Sequence, residues 1–176
     1  MPAIITDPSL KNSWGISRSA TSPWWVSNQG TNTATLYSVT GSSVTKNALT
    51  VTIPTTGGPP QGPTGQVRNN GSSFLVNGSP ASFIFANLNG TISAWNQSAG
   101  TTAVVEAAST GGVYTGLAIN IAQSQLYAAN NAGGSIDVFS NTFAPVNLGP
   151  NAFKDPAVGA LVPFNAQDIN GNVYVT

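Results

Sequence analysis

A strand pattern recurs about every 50 residues along this chain, and this internal repeat limits the fold more than any other feature of the sequence. Each copy opens at a glycine, and Gly15, Gly65 and Gly116 are 50 and 51 residues apart. Periods of roughly 20–50 residues are typical of solenoids and propellers, in which one small unit cannot bury its own faces. The chain is therefore predicted to stack similar units against one another.

The later strands of each copy follow the same order. A second strand ends in Asn, a turn rich in Asn and Gly follows, and a third strand carries the aromatic residue Tyr37, Trp95 or Phe139. These aromatic residues are 58 and 44 residues apart. The unequal spacing indicates an insertion at 74–80, between the first and second strands of the second copy.

Short runs of Val, Ile, Thr and aromatic residues, bounded by Gly, Asn and Pro, predict an all-β fold. Four such strands per roughly 50 residues are typical of a β-propeller blade. A fourth copy begins near Asn165, with Ala166 in the glycine position, and runs to Thr176. The alternative is a β-sandwich whose strands happen to be similar. We expect a single domain, a partial β-propeller of about three four-stranded blades plus the start of a fourth, in the ranges 12–54, 62–109, 113–150 and 163–176.

Three blades and half of a fourth cannot close a ring, since propellers have about 4–8 blades. The chain is therefore expected either to be the N-terminal half of a six- or seven-bladed protein or to form a ring with a second chain. Self-association or the missing blades of a longer chain would cover the exposed faces and strand edges. The segment 3–6 has no blade of its own and is a candidate outer strand for another blade.

The composition excludes several kinds of function. The chain has five basic and five acidic residues, no His and no Cys. Without a cluster of cations it is a poor candidate for binding nucleic acid. Without His and Cys, the usual zinc and haem sites and Ser-His-Asp or Cys-His catalysis are excluded. No apolar run approaches the roughly 20 residues of a membrane span.

A surface built mostly from hydroxyl, amide and glycine residues favours an exported protein, extracellular or periplasmic, over a cytosolic one. The segment 1–7 has neither a basic region nor a long apolar stretch, so the chain carries no intact secretory signal. The lack of Cys is compatible with either compartment.

Several runs of this sequence carry a likeness to a known family: 7–16, 24–31, 35–37, 62–67, 83–86, 90–95 and 114–118. With these runs the chain resembles an uncharacterised bacterial propeller family that is similar to the NHL and gluconolactonase-like six-bladed propellers. Members of that family are often exported, and some carry PEP-CTERM sorting tails. The resemblance spans nearly all of this chain but only the N-terminal half of a family member, and it implies no activity.

Trp14, Trp24 and Trp25 form an aromatic group in the first copy. Trp25 lies three residues before the Asn that ends its strand, as Ile84 and Tyr127 do in the later copies, and this position predicts packing between blades. Trp24 is the additional aromatic residue. If it faces outward beside Trp14, the two rings would stack on a sugar or another flat ligand.

Two arginines, Arg18 and Arg68, each follow the repeat glycine by three residues. Because first strands line the channel of a propeller, the pair would bind an anion at the channel mouth. The alternative is that both are solvated residues at strand ends, or partners for the few acids.

Asn120, Gln167 and Asp168 also lie on first strands. In the gluconolactonase-like propellers that the resemblance brings in, carboxylate and amide oxygens around the channel hold a metal ion. Only one carboxylate is present here and no DxDxDG loop occurs, so we predict no metal site and no catalytic residues within this chain.

The sequence supports two hypotheses for the function. The first is a non-enzymatic exported binding or scaffold module that needs no cofactor and takes a small-molecule or glycan ligand at Trp14, Trp24, Arg18, Arg68, Asn120, Gln167 and Asp168. The second is a metal-assisted lactonase or esterase, completed by missing blades or a second chain, with a divalent ion such as calcium. Convergence of Asp168 with Asn120 and another acid would favour the enzyme.

Overall fold

The computed structural model describes residues 3–56 and 58–176. Met1 and Pro2, which begin the segment 1–7 without the features of a secretory signal, lie outside the described residues. Antiparallel strands make up the fold, with three short 3-10 turns between them. The prediction of an all-β chain is confirmed. In residues 3–56 and 58–176 no helix is long and apolar enough to span a membrane.

The first two sheets each contain four strands that follow one another in sequence. In the second of them a short hairpin is inserted between the first and second strands, at the position where the spacing of the aromatic residues indicates an insertion. Sheet 1 consists of β1 (Ser13–Ser17), β2 (Trp24–Asn28), β3 (Thr33–Thr40) and β4 (Ser43–Thr52), and sheet 2 of β5 (Pro63–Arg68), β8 (Phe83–Asn87), β9 (Thr91–Trp95) and β10 (Val104–Ala108), with β6 (Leu75–Val76) and β7 (Ser79–Pro80) as the inserted hairpin.

A third four-stranded sheet and a two-stranded hairpin complete the fold. The outermost strand of sheet 3 has only two residues, and the last hairpin stands where a fourth sheet would begin. Sheet 3 consists of β11 (Tyr114–Ile119), β12 (Gln125–Asn130), β13 (Ser135–Ser140) and β14 (Pro145–Val146), and the terminal hairpin of β15 (Ala166–Ile169) and β16 (Asn172–Val175).

The aromatic residues of the repeat occupy one register position. Tyr37 pairs with Trp24, Trp95 with Phe83, and Phe139 with Leu126, in each case across the second and third strands. Tyr37, Trp95 and Phe139 are all buried. The spacing in the sequence therefore reports a true structural equivalence.

The first strand of each sheet lies beside the first strand of the next, and the repeat glycines make this close approach possible. These first strands are β1, β5, β11 and, in the terminal hairpin, β15. β1 contacts β5, β5 contacts β11, and β11 contacts β15. A Cβ atom on Gly65 would lie 2.6 Å from the carbonyl carbon of Gly116, and one on Gly116 would lie 2.7 Å from Cα of Asn165. A Cβ on Gly15 would collide with the carbonyl oxygen of Thr64. Only glycine leaves room for the next first strand to approach this closely.

Threonine hydroxyls link the same strands. Thr64 Oγ1 donates to the carbonyl of Tyr114 at 2.7 Å, and Thr115 Oγ1 donates to the carbonyl of Phe164 at 2.6 Å. Each threonine directly precedes a repeat glycine. The Thr-Gly pair therefore supplies both the close approach and a hydrogen bond that fixes it.

Hydrophobic clusters lie between successive sheets rather than inside one central layer. Every residue of β8 and β9 is buried, because sheet 2 packs on sheet 1 with one face and on sheet 3 with the other. Trp25 packs against sheet 2, Ile84 against sheet 3, and Tyr127 against the terminal hairpin. This arrangement agrees with the predicted packing role of that position and differs from a sandwich of two sheets.

The N-terminal segment is tied to sheet 1 by a buried carboxylate. Asp7 accepts hydrogen bonds from the Tyr37 hydroxyl at 2.5 Å and from the backbone amide of Ser9 at 2.9 Å, and Lys46 Nζ lies 2.7 Å from Asp7 Oδ2. Burial alone would raise the pKa of Asp7, but these donors hold it well below its ordinary value. The segment 3–6, a candidate outer strand, forms no strand here.

Replacing Asp7 with asparagine is expected to lower the free energy of unfolding at pH 7 by about 1–3 kcal/mol, because Lys46 and Tyr37 lose the carboxylate to which both donate. The pKa of Asp7 is lower in the folded chain than in the unfolded chain. Its contribution is therefore complete above about pH 5 and is lost as the pH falls below about 4. Urea titrations between pH 7 and pH 2 should show a flatter pH dependence for Asp7→Asn than for the wild type.

Asp155→Asn is the matched control. Asp155 is exposed and accepts a hydrogen bond from the amide of Ala157 at 2.8 Å, a role that asparagine fills equally well. We expect no change in the free energy of unfolding at pH 7. Identical curves for the Asp7 and Asp155 variants would contradict the role given to Asp7.

Candidate functional site

The four first strands β1, β5, β11 and β15 line one open groove with a volume of about 690 Å³. Each of them is the edge strand of its own sheet or hairpin and pairs with a neighbour on one side only. Backbone N–H and C=O groups that the sheets leave unpaired are therefore available along the groove wall. A concave site of this size lies within the range of roughly 300–1,000 Å³ that is common for small-ligand sites.

Two aromatic rings meet in this groove. Trp14, on β1, stacks on Phe164, which directly precedes Asn165 and β15, with ring centroids 5.8 Å apart and planes inclined by 29°. Trp14 is 37% exposed and Phe164 is 54% exposed. The contact between the two rings therefore connects β1 with the residues just before β15 across the groove.

Arg68 lines the groove, but its guanidinium is turned toward the protein. It donates to the carbonyl of Ser82 at 2.6 Å and to the carbonyl of Asn69, and it lies over the ring of Phe83 at 5.4 Å. Burial lowers the pKa of Arg68. The side chain thus satisfies backbone carbonyls at the end of β5.

Arg18 lies outside the groove and stacks on Trp24, with its guanidinium carbon 4.7 Å from the ring centroid. Trp24 and Phe83 occupy equivalent positions four residues before the Asn of their strands, so both arginines contact the same position of the repeat. Their shared offset therefore has a packing explanation.

The structure also separates Trp14 from Trp24. Ile16 pairs with Val26 and Ser17 pairs with Trp25, which places Trp24 toward the end of the β1–β2 pair that is remote from Trp14. The aromatic partner that the groove gives to Trp14 is Phe164 instead.

Asp168 and Gln167 line the groove at the terminal hairpin. Asp168 Oδ1 accepts from the amide of Gly171 at 3.0 Å, and Oδ2 accepts from the amide of Ile121 at 3.1 Å. The carboxylate therefore caps its own turn and contacts sheet 3. Gln167 is exposed.

Asn120 belongs to a turn rather than to the groove. Its Oδ1 accepts from the amides of Ser124 at 2.8 Å and Gln125 at 3.0 Å, which shapes the connection between β11 and β12. Asp168 approaches the neighbouring amide of Ile121, yet the oxygens of Asp168 and Asn120 are both committed to backbone donors. Within residues 3–56 and 58–176, no three carboxylates gather at one place.

Four of the seven candidate residues from the sequence line the groove, and three do not. Trp14, Arg68, Gln167 and Asp168 line it, and Arg18, Trp24 and Asn120 do not. Sequence reasoning missed Phe164, because this residue lies in the irregular stretch between sheet 3 and the terminal hairpin, outside the repeat pattern.

Solved structures share this arrangement of strands. A structural-genomics protein of unknown function from Bacteroides thetaiotaomicron superimposes with a TM-score of 0.61 and 13% identity over 96% of this chain and 39% of that one. Hydrazine synthase from Kuenenia stuttgartiensis gives a TM-score of 0.56 and 15% identity over 81% of this chain and 36% of that one. The fold is propeller-like.

At these identities the likeness concerns the fold alone, and this chain spans less than two fifths of the length of either structure. No protein-family model matches the sequence, and no curated protein matches it. In a propeller the first strands of the blades line the central channel, so the groove between these first strands corresponds in position to that channel.

Proposed function

We propose that sheets 1 to 3 are three blades of a β-propeller, in the ranges 12–54, 62–109 and 113–150, and that 163–176 begins a fourth. The packing of each sheet on the next and the Thr-Gly contacts between first strands support this proposal. Further blades would come from a longer chain or from a second copy. In support, Tyr174 is 55% exposed and Ile169 is 46% exposed on the terminal hairpin.

We propose in addition that this propeller belongs with the exported NHL and gluconolactonase-like group and works outside the cytoplasm. Its hydroxyl- and amide-rich composition, with only 6% charged residues, supports this location. Fractionation of cells that express the natural gene tests it. Recovery of the protein in the cytoplasmic fraction would contradict it.

The function that the site supports best is ligand binding without catalysis. The observation that carries the proposal is the groove itself, in which four edge strands present backbone donors and acceptors around two exposed aromatic rings. Its two charged side chains, Arg68 and Asp168, hold backbone groups and so give the site little chemistry for bond cleavage. The groove is suited to hold a small polar molecule.

A metal-assisted lactonase or esterase would need more oxygen ligands than Asp168 brings to the groove. In that alternative, further carboxylates would come from additional blades or a second chain. Titration of the chain with calcium by calorimetry separates the two functions. Heat that saturates at one equivalent and disappears in Asp168→Asn would favour the enzyme.

Ligand-observed NMR with a mixed library of polar small molecules and oligosaccharides tests the binding function. Gln167→Trp places a large ring in the groove at an exposed position, so genuine groove ligands should bind the wild type and lose binding to this variant. A thermal melt checks that the variant folds. If the library contains no ligand that is sensitive to Gln167→Trp, the proposed function is wrong. Light scattering of the same sample gives the number of copies per particle.

A further inference from the structure

Trp14 and Phe164 are large aromatic side chains that the protein leaves exposed in a concave site. Neither belongs to the three hydrophobic clusters, whereas Trp25 and Trp95 are 2% and 8% exposed inside one of them. A ring that packs for stability is normally buried as those two are. The exposed pair therefore calls for an explanation other than core packing.

The groove around this pair is polar but nearly without available charge. Arg68 donates to two backbone carbonyls, and both oxygens of Asp168 accept from backbone amides. The polar groups that remain are neutral: the strand-edge N–H and C=O groups and the exposed amide of Gln167. The Ser13 hydroxyl donates to Asn28 Oδ1, and the Ser17 hydroxyl accepts from Gln66 Nε2. Arg68 directs its Nη1 at the carbonyls of Asn69 and Ser82 rather than into the groove, which disfavours an anionic ligand such as a nucleotide.

A flat apolar surface next to many neutral donors and acceptors matches the chemistry of a sugar. A pyranose ring presents C–H groups on its faces and hydroxyl groups around its rim. The faces pack on aromatic rings, and the rim exchanges hydrogen bonds with neutral polar groups. The open shape of the groove leaves room for a chain of sugar units rather than one enclosed ring.

We propose that Trp14 and Phe164, which stack on each other, form a platform that offers one outer ring face to a pyranose ring of a neutral oligosaccharide, whose hydroxyls bond to the edges of the first strands and to Gln167. This inference rests on the proposed binding function and names the ligand class for the same groove. The platform combines residues 150 positions apart in the sequence. It therefore exists only when the first strands stand around the groove.

The test uses six neutral hexasaccharides as probes: cellohexaose, xylohexaose, mannohexaose, maltohexaose, laminarihexaose and chitohexaose. Isothermal titration of the full chain should detect binding of at least one of them. Trp14→Ala and Phe164→Ala should each weaken that binding at least tenfold, because each removes one ring of the platform. Trp24→Ala is the matched control, since Trp24 stacks on Arg18 outside the groove, and it should leave the affinity unchanged.

Each outcome decides between two ideas. If no hexasaccharide binds but the mixed library yields ligands whose binding is lost in Gln167→Trp, the sugar inference is overturned and the binding function stands. If neither experiment gives a ligand, both are overturned. Binding that survives in folded Trp14→Ala and Phe164→Ala also overturns the platform. Should Trp14→Ala fail to fold, Phe164→Ala alone decides, because Phe164 lies outside the strands.

Discussion

Replacing Gly65 with alanine is expected to lower the free energy of unfolding by at least about 3 kcal/mol. The added Cβ would lie 2.6 Å from the carbonyl carbon of Gly116 and 2.7 Å from Cβ of Leu117. These atoms belong to the neighbouring first strand, and backbone cannot move aside as the end of a flexible side chain can. The substitution therefore pushes β5 and β11 apart, and overpacking of this kind costs about 1–3 kcal/mol even where side chains can adjust. The hydrogen bond from Thr64 to Tyr114 would lengthen as well.

Gly58→Ala is the control for this substitution. A Cβ on Gly58 meets no atom within 4 Å, and the backbone there lies outside the left-handed region. Alanine at such a position should be neutral or stabilise the chain by up to about 1 kcal/mol, because it restricts the unfolded state. Guanidinium unfolding of both variants gives the comparison. A Gly65→Ala protein as stable as Gly58→Ala would show that the first strands do not approach as closely as described.

The repeat could be predicted from the sequence because each of its members has a local cause. Glycine leaves space for a neighbouring strand, Asn and Gly allow tight turns, and aromatic residues fill the gaps between sheets, so these residue types recur at matched positions. The spacing of residues in the sequence does not identify which residues of the next strand lie opposite them. The sequence places Gly65 in a strand, but only the fold shows that Gly116 and Leu117 stand opposite it.

The candidate site was harder to predict for the same reason. Trp14 and Trp24 are close in sequence, which favours them as a pair, but the pairing of β1 with β2 separates them. Phe164 contacts Trp14, and no local sequence pattern predicts this contact. Asp168 lies on a first strand as predicted, whereas Asn120 lies just beyond the end of β11, and the oxygens of both serve backbone amides in turns. Composition can suggest the type of side chain in a site, whereas the choice of partners depends on tertiary structure.

Replacing Trp25 with alanine is expected to lower the free energy of unfolding by about 3–5 kcal/mol. Trp25 is 2% exposed, with its ring centroid 4.2 Å from that of Phe83 and 4.7 Å from that of Trp95. Both neighbours belong to sheet 2, so the indole fills the space between two successive sheets and its loss leaves a cavity there.

Trp24→Ala removes the same side chain from the next position in the strand, where the indole is only partly buried and its recorded ring contact is Arg18. Because an exposed cation–π contact is worth about 0.5–1 kcal/mol, this variant should lose no more than about 1.5 kcal/mol. Chemical unfolding of the two variants therefore compares the same Trp-to-Ala substitution on the buried face and on the partly exposed face of β2. Equal losses would mean that sheet 2 does not pack on the Trp25 face of sheet 1. The radial stacking of the sheets, and with it the groove that their first strands line, would then have to be abandoned.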